Sequence, residues 1–310
     1  AFCGVMVVFA ALFGARHAAS SERHPGLVVA IAFESAVKLV ALLAVGVAVL
    51  WSEGLPVPTS DQAHRMLEPV RSGGFTTVLL LSVAAPFLLP RQFHMAFTEA
   101  PEGEAGERAL RTATWAFPGF LLLMNLPIPL VLWAGERLKP EGNADLYVLD
   151  VVSGAPWLQS FAWLGGVSAA SAMVIVSTLA LSSMVLTHLV LPFQPLAQAQ
   201  GDVYHRLRYA RRMAVATLLA TAYLAFLALE TSIPSKSGAL AQVGLVSFAA
   251  VLQLVPGVLG VLFFPRATRA GVMVGLALGV GAWTLLLALP LVGVGWLPLP
   301  EVLLAGDPLG

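Results

Sequence analysis

A run of small and hydroxyl-bearing residues between positions 165 and 183 is the part of the sequence best suited to binding an ion. Na⁺ is a hard cation that needs several oxygen ligands. A helix can supply them from Ser and Thr hydroxyls, together with carbonyls exposed on a locally unwound partner helix. The adjacent pair Ser177 and Thr178 could supply two such oxygens. The alternative is close helix packing by small residues, with each hydroxyl bonded back to its own turn.

A second candidate is the pair Glu34 and Lys38, a carboxylate and an ammonium four residues apart in an apolar stretch. This spacing places both on one helix face, in the order that favours their attraction. Ionisable groups inside a membrane are costly and usually face the bundle interior, so the pair is a candidate for substrate binding or gating. A structural ion pair is the alternative.

Gln92 and His94 follow Pro90 and Arg91, where a helix is expected to break. They are further candidates for a substrate or gating role. For His94, a contact within a cytoplasmic loop is the alternative, and the acidic stretch 99–107 is interpreted as part of that solvated loop.

These residues must be positioned by membrane helices, because 58% of the 310 residues are hydrophobic, 11% are charged and the mean hydropathy is +0.85. Spans of about 20 apolar residues predict about eight transmembrane helices. They cover residues 1–14, 26–51, 74–90, 110–134, 157–193, 212–229, 239–264 and 270–294. The formal net charge is zero, which gives no indication of nucleic acid as a partner.

The distribution of Lys and Arg predicts the orientation of these spans. Eleven cations lie in alternate connections at 15–25, 91–111, 195–212 and 265–269, against five in the other connections. Because cations are retained on the cytoplasmic side, the first set is predicted to be cytoplasmic and both chain ends to face outward.

Several predicted spans contain residues that weaken helices. These are Pro86, Pro90, Pro118, Asn125, Pro127, Pro129, Pro256, Gly257 and Gly260. Broken membrane helices are tolerated where neighbours or a watery cavity satisfy the freed backbone groups, which favours a transporter or channel over a passive anchor. The sequence has no Walker loop, paired-cysteine metal motif or Gly-x-Ser-x-Gly elbow, and its loops leave no room for a catalytic domain.

Several blocks of the sequence resemble the sodium:solute symporter family, in the family's order. Residues 89–94 look like the end of the family's broken sixth core helix, and Arg108, Arg111 and Trp115 look like the basic start of the next. Residues 176–179 are similar to the eighth core helix, and residues 246–257 with 264–271 to the tenth helix and its basic turn. The resemblance implies an inverted-repeat helical bundle with a sodium site to which Ser177 and Thr178 contribute.

Residues 13–17, 22–27, 30–39 and 89–94 resemble one branch of that family more closely than its ordinary permeases. It is the symporter-like N-terminal membrane module of bacterial sensor histidine kinases. The resemblance implies a multi-pass protein of the bacterial cytoplasmic membrane that transports or senses Na⁺ with a small solute, such as an amino acid or a carboxylate. Kinase domains in the same chain and a response regulator would be its partners, beside the lipid bilayer.

By this resemblance, residues 1–310 form one partial domain that begins at the fourth core helix and is expected to lack the first three and any kinase. The full-length parent is then expected to be a protein histidine kinase. The family's carboxylate at the start of the fifth core helix is approximated by Glu34 or Ser35. A stand-alone symporter and a signalling scaffold that has lost transport are the alternatives.

Overall fold

The computed structural model describes residues 25–55, 58–60, 62, 64, 74–95, 99–190, 192, 203–232 and 239–291. Every regular element in these ranges is helical. The longer helices are α1 (Pro25–Glu53), α2 (Gly74–Leu88), α4 (Gly103–Asn125), α5 (Pro127–Leu138), α7 (Pro156–Val185), α8 (Val203–Ser232), α9 (Ala239–Leu252), α10 (Val255–Phe263) and α11 (Arg269–Trp283). Short helices are α3 (Pro90–Phe93), α6 (Tyr147–Asp150) and α12 (Leu289–Leu291). π-helical turns Leu186–Val190 and Thr284–Ala288 follow α7 and α11.

Within the described ranges, six helical stretches are long and apolar enough to cross a membrane. They are Val28–Glu53, Gly103–Leu138, Pro156–Leu189, Tyr209–Leu227, Val243–Phe263 and Arg269–Leu291. The predicted all-α membrane class is therefore confirmed, and six of the predicted spans are found. The predicted span 74–90 corresponds to α2, which contains only the shorter apolar stretch Phe75–Ala84. The predicted span 1–14 lies outside the described residues.

The helices break at three of the places where the sequence predicts weak points. Leu89 separates α2 from α3, Leu126 separates α4 from α5, and residues 253–254 separate α9 from α10. In each case a proline occupies the first or second position of the next helix, where its missing N–H would have no intrahelical partner. Pro118, by contrast, lies inside α4 without ending it.

The stretch Gly103–Leu138 is longer than a bilayer requires. Its 36 residues span about 54 Å, against a hydrocarbon thickness of about 30 Å. The first turns carry Glu104, Glu107, Arg108 and Arg111, all exposed, so this end of α4 continues into water. The interpretation of residues 99–107 as a loop is therefore wrong from Gly103 onward.

The chain divides into two compact units. Unit 1 comprises residues 1–48, 90–128 and 152–226, and unit 2 comprises residues 49–89, 129–151 and 227–310. The prediction of a single domain over residues 1–310 stays a prediction.

Unit 1 is organised around α7, the most enclosed of the apolar stretches: 44% of its most apolar window is buried, against 17% or less in the other five. Gly165 allows α7 to lie directly against α1, because a Cβ at Gly165 would lie 2.6 Å from the Cβ of Ala41. On another side of α7, Val174 packs against the buried Val215 and Leu219 of α8. Small residues thus hold α7 close to α1, as in other membrane helix pairs.

Unit 2 contains a small polar cap and two packed helix pairs. In the cap, the buried Tyr147 donates a hydrogen bond from its hydroxyl to the Lys139 carbonyl at 3.2 Å, and Lys139 Nζ lies 2.5 Å from Asp150 Oδ1. α2 packs against α9, and α10 packs against α11. The Trp283 indole N–H of α11 donates to the Val246 carbonyl of α9 at 2.8 Å, which ties these two helices together.

Candidate functional site

The carboxylate of Glu34 lies against the hydroxyl-rich face of α7 in unit 1. Ser171 Oγ shares its proton between the Glu34 carboxylate, with Oε1 at 3.2 Å, and the Ser168 carbonyl at 2.9 Å. Ser168 Oγ donates to the Glu34 backbone carbonyl at 3.4 Å. Three residues apart, the two serines share one helix face, and the close approach at Gly165 brings that face within reach of α1. An intramembrane carboxylate without such donors would be strongly penalised, so this contact allows Glu34 to remain in the span.

Lys38 lies one turn along α1 from Glu34, but the direct ion pair that their spacing allows is not formed between these two described residues. The Lys38 ammonium instead lies 5.6 Å from the centroid of the Phe120 ring, within cation–π range. The charges of Glu34 and Lys38 still attract each other across the gap. Because the ammonium is not bonded to the carboxylate, it can reach a second anionic group.

Arg91 adds a second cation. It comes from α3, which packs against α7, and its charge lies close enough to repel that of Lys38. Burial lowers the pKa of the Arg91 guanidinium from its usual value, but arginine stays protonated in proteins. Its Nε is buried and has no hydrogen-bond partner in the described part of the chain.

Glu34, Lys38, Arg91, Ser168 and Ser171 are hereafter called the carboxylate cluster. The sequence alone indicates two of these residues, Glu34 and Lys38. The serines lie within the hydroxyl-rich segment 165–183. Their three-residue spacing places them on one helix face, which is the only indication in the sequence that they act together. For Arg91 the sequence predicts only a cation in a cytoplasmic loop, and no pattern in the sequence indicates that it is partly buried in α3.

Gln92 and His94 have different surroundings. Gln92 follows Arg91 in α3 and is partly buried. His94 Nε2 lies 3.4 Å from Glu99 Oε1, and the Glu99 backbone N–H donates to the His94 carbonyl at 3.1 Å. This is the loop contact considered for His94 as the alternative to a gating role. Glu99 itself is 8% exposed, so it is not part of a solvated loop.

Ser177 and Thr178 lie further along α7. Thr178 is buried and shares a face with Ser171, seven residues and about 10 Å earlier, whereas Ser177 is partly exposed on another side. Thr178 Oγ1 donates to the Val174 carbonyl at 2.7 Å, the bond back to its own turn that the packing alternative expects. A hydroxyl that donates in this way keeps two lone pairs, so the oxygen could still bind a cation. The sodium assignment therefore stays a prediction.

Comparison with protein-family models, with curated protein sequences and with solved structures finds no match to this chain. Fold and site together define a class: a multi-pass α-helical membrane protein with a hydrogen-bonded carboxylate and two cations clustered around one enclosed helix.

Proposed function

We propose that the chain is a solute-transporting or solute-sensing membrane domain of the sodium:solute symporter type. In this proposal the carboxylate cluster binds a small solute, and Ser177 and Thr178 contribute oxygens to a Na⁺ site. The single observation that carries the proposal is the Glu34 carboxylate, held inside a membrane span by Ser171 and accompanied by Lys38. Intramembrane ionisable residues of this kind mark substrate and ion pathways.

The charges of the cluster favour a solute that carries a carboxylate. Lys38 and Arg91 together outnumber the one carboxylate, Glu34, so the cluster has an excess positive charge. The planar guanidinium of Arg91 is suited to a bidentate contact with a carboxylate, and Lys38 supplies a point charge. An amino acid would use the same two cations for its carboxylate and Glu34 for its ammonium.

Coupling between the ion and the solute would run along α7. Ser171 binds Glu34, and Thr178 lies two turns further along the same face of the same helix. If Na⁺ binds better to one position of α7 than to another, its occupancy shifts the population of the Ser171–Glu34 contact and hence the affinity for solute. The bacterial cytoplasmic membrane, the inverted-repeat fold, cytoplasmic kinase domains and a response regulator are further parts of this proposal, carried by the sequence resemblance.

The ion assignment predicts that Ser177→Ala, Thr178→Ala removes the Na⁺ dependence of solute binding. Removing two of about five or six oxygen ligands should raise the Na⁺ concentration for half-maximal effect at least ten-fold. The measurement is uptake of radiolabelled L-proline, L-histidine and acetate into proteoliposomes with inward Na⁺ or K⁺ gradients, together with binding of the same solutes in detergent. Ser182→Ala and Ser183→Ala serve as controls, because both hydroxyls lie on α7 and bond back to their own turns.

The outcomes separate the alternatives. Unchanged Na⁺-dependent uptake in the Ser177→Ala, Thr178→Ala protein would contradict the assignment of these residues to the Na⁺ site. Na⁺-dependent binding without accumulation would identify a sensing domain that has lost transport. Na⁺-driven accumulation would identify an active symporter, either alone or as the input module of a kinase.

A further inference from the structure

A groove of about 690 Å³ runs between α10 and α11 in unit 2. Its walls are apolar side chains and glycines, among them Val258, Val261, Gly275 and Leu276. At Gly275 the groove is open, because a Cβ there would meet no atom within 4 Å. The two helices belong to the apolar stretches Val243–Phe263 and Arg269–Leu291, so the groove lies within the hydrocarbon region of a membrane.

The groove has the length of one membrane leaflet. Thr268 lines one end and Gly279 the other, and these eleven steps along α11 correspond to roughly 16 Å. Half of a hydrocarbon core of about 30 Å is about 15 Å. At the Gly279 end the groove is closed by Gln253, whose Oε1 lies 2.7 Å from where a Gly279 Cβ would be. The groove therefore extends from the membrane surface to about the midplane.

The open end at Thr268 is positively charged. Arg266 and Arg269 are exposed on either side of it, and the sequence contains no Asp or Glu between residues 231 and 300. Thr268 caps α11 by accepting a hydrogen bond from the Gly271 N–H at 3.1 Å, and this helix N-terminus adds partial positive charge. The turn 265–269 is predicted to be cytoplasmic, where membrane lipids are most often anionic.

We propose that this groove binds one molecule of an anionic phospholipid. One acyl chain lies between α10 and α11 along Gly275, and the phosphate is held by Arg266 and Arg269 at the N-terminus of α11. The position of the acyl chain follows from the open glycine face and the length of the groove. The position of the headgroup follows from the two exposed arginines at its Thr268 end. The site is independent of the carboxylate cluster, all of which belongs to unit 1.

The test is native mass spectrometry of the protein extracted from bilayers of phosphatidylglycerol and phosphatidylcholine with identical acyl chains. Wild type should retain one phosphatidylglycerol per chain, at least thirty-fold enriched over phosphatidylcholine. Arg266→Gln, Arg269→Gln should reduce that enrichment about thirty-fold, since each basic residue near the surface contributes about a five-fold preference. Gly275→Leu fills the groove and should lower retained phosphatidylglycerol at least ten-fold.

Gly281→Leu is the matched control, because Gly281 lies on the same helix, a Cβ there also meets nothing within 4 Å, and it does not line the groove. It should retain lipid as wild type does, and equal melting temperatures for all variants would show that each is folded. The proposal is overturned if Gly275→Leu retains phosphatidylglycerol normally, if Gly281→Leu loses as much, or if phosphatidylcholine is retained equally. A dimer that Gly275→Leu dissolves would also overturn it, by assigning the groove to a second copy of the chain.

Discussion

A Lys38→Gln protein is expected to bind its carboxylate solute at least a hundred-fold more weakly than wild type. Lys38 is partly buried in a membrane span, and its ammonium is not engaged in an ion pair with Glu34. Removing one member of a buried, hydrogen-bonded charge pair between protein and ligand costs about 2–5 kcal/mol, which corresponds to thirty-fold or more in affinity. The expected hundred-fold loss corresponds to about 2.7 kcal/mol, and it exceeds thirty-fold because Arg91 alone cannot replace the lost point charge.

The measurement is a thermal-shift and scintillation-proximity titration with L-proline, L-histidine, acetate and succinate, each compared with its amide. Wild type should prefer the free carboxylate over the amide, and Lys38→Gln should lose that preference. Lys139→Gln is the control cation, since Lys139 pairs with Asp150 in the polar cap of unit 2. Solute binding by that variant should be unchanged.

A purely structural role for Lys38 can be separated from solute binding with a second variant. Lys38→Gln leaves the Glu34 carboxylate without a nearby compensating charge, which lowers stability by itself. Glu34→Gln, Lys38→Gln removes both charges, and the amide oxygen that replaces the carboxylate can still accept the bond from Ser171. If Lys38 binds the solute carboxylate, this double variant regains stability and not affinity. If the double variant regains both stability and solute affinity, Lys38 only compensates the charge of Glu34 and does not bind the solute.

The membrane spans could be predicted from the sequence, because the length of an apolar run depends only on consecutive residues. Six predicted spans are found, with ends that differ by up to seven residues, as at Gly103. That difference has a physical reason: α4 continues into water as a charged helix, and hydropathy alone records only its apolar part. The helix breaks near Pro90, Pro127 and Pro256 could also be predicted from the sequence, because each results from the missing N–H of one proline.

The carboxylate cluster was only partly accessible, because its members are far apart in the sequence. Glu34 and Ser171 are 137 positions apart, and no helical period relates them. What brings them together is the packing of α1 on α7, which depends on the absence of a side chain at Gly165. The burial of Arg91 likewise depends on α3 packing against α7, whereas the sequence indicates only a basic residue after a proline.

Substitution at this contact is therefore expected to have a large effect: Gly165→Ala should both destabilise unit 1 and weaken solute binding. The new Cβ would lie 2.6 Å from the Ala41 Cβ, so α1 and α7 must move apart, and overpacking of this kind costs about 1–3 kcal/mol. Ser168 and Ser171 lie three and six residues along α7, so the same displacement lengthens their bonds to Glu34.

Gly166→Ala is the matched control, because Gly166 is exposed and its added Cβ would meet nothing within 4 Å. Both substitutions gain the same helix propensity, about 1 kcal/mol, so the difference between their unfolding free energies isolates the packing cost. Ala41→Gly, Gly165→Ala moves the methyl group from α1 to α7 and should restore both stability and solute binding. Equal melting temperatures for Gly165→Ala and Gly166→Ala would contradict the close α1–α7 approach, and with it the position of Ser171 beside Glu34.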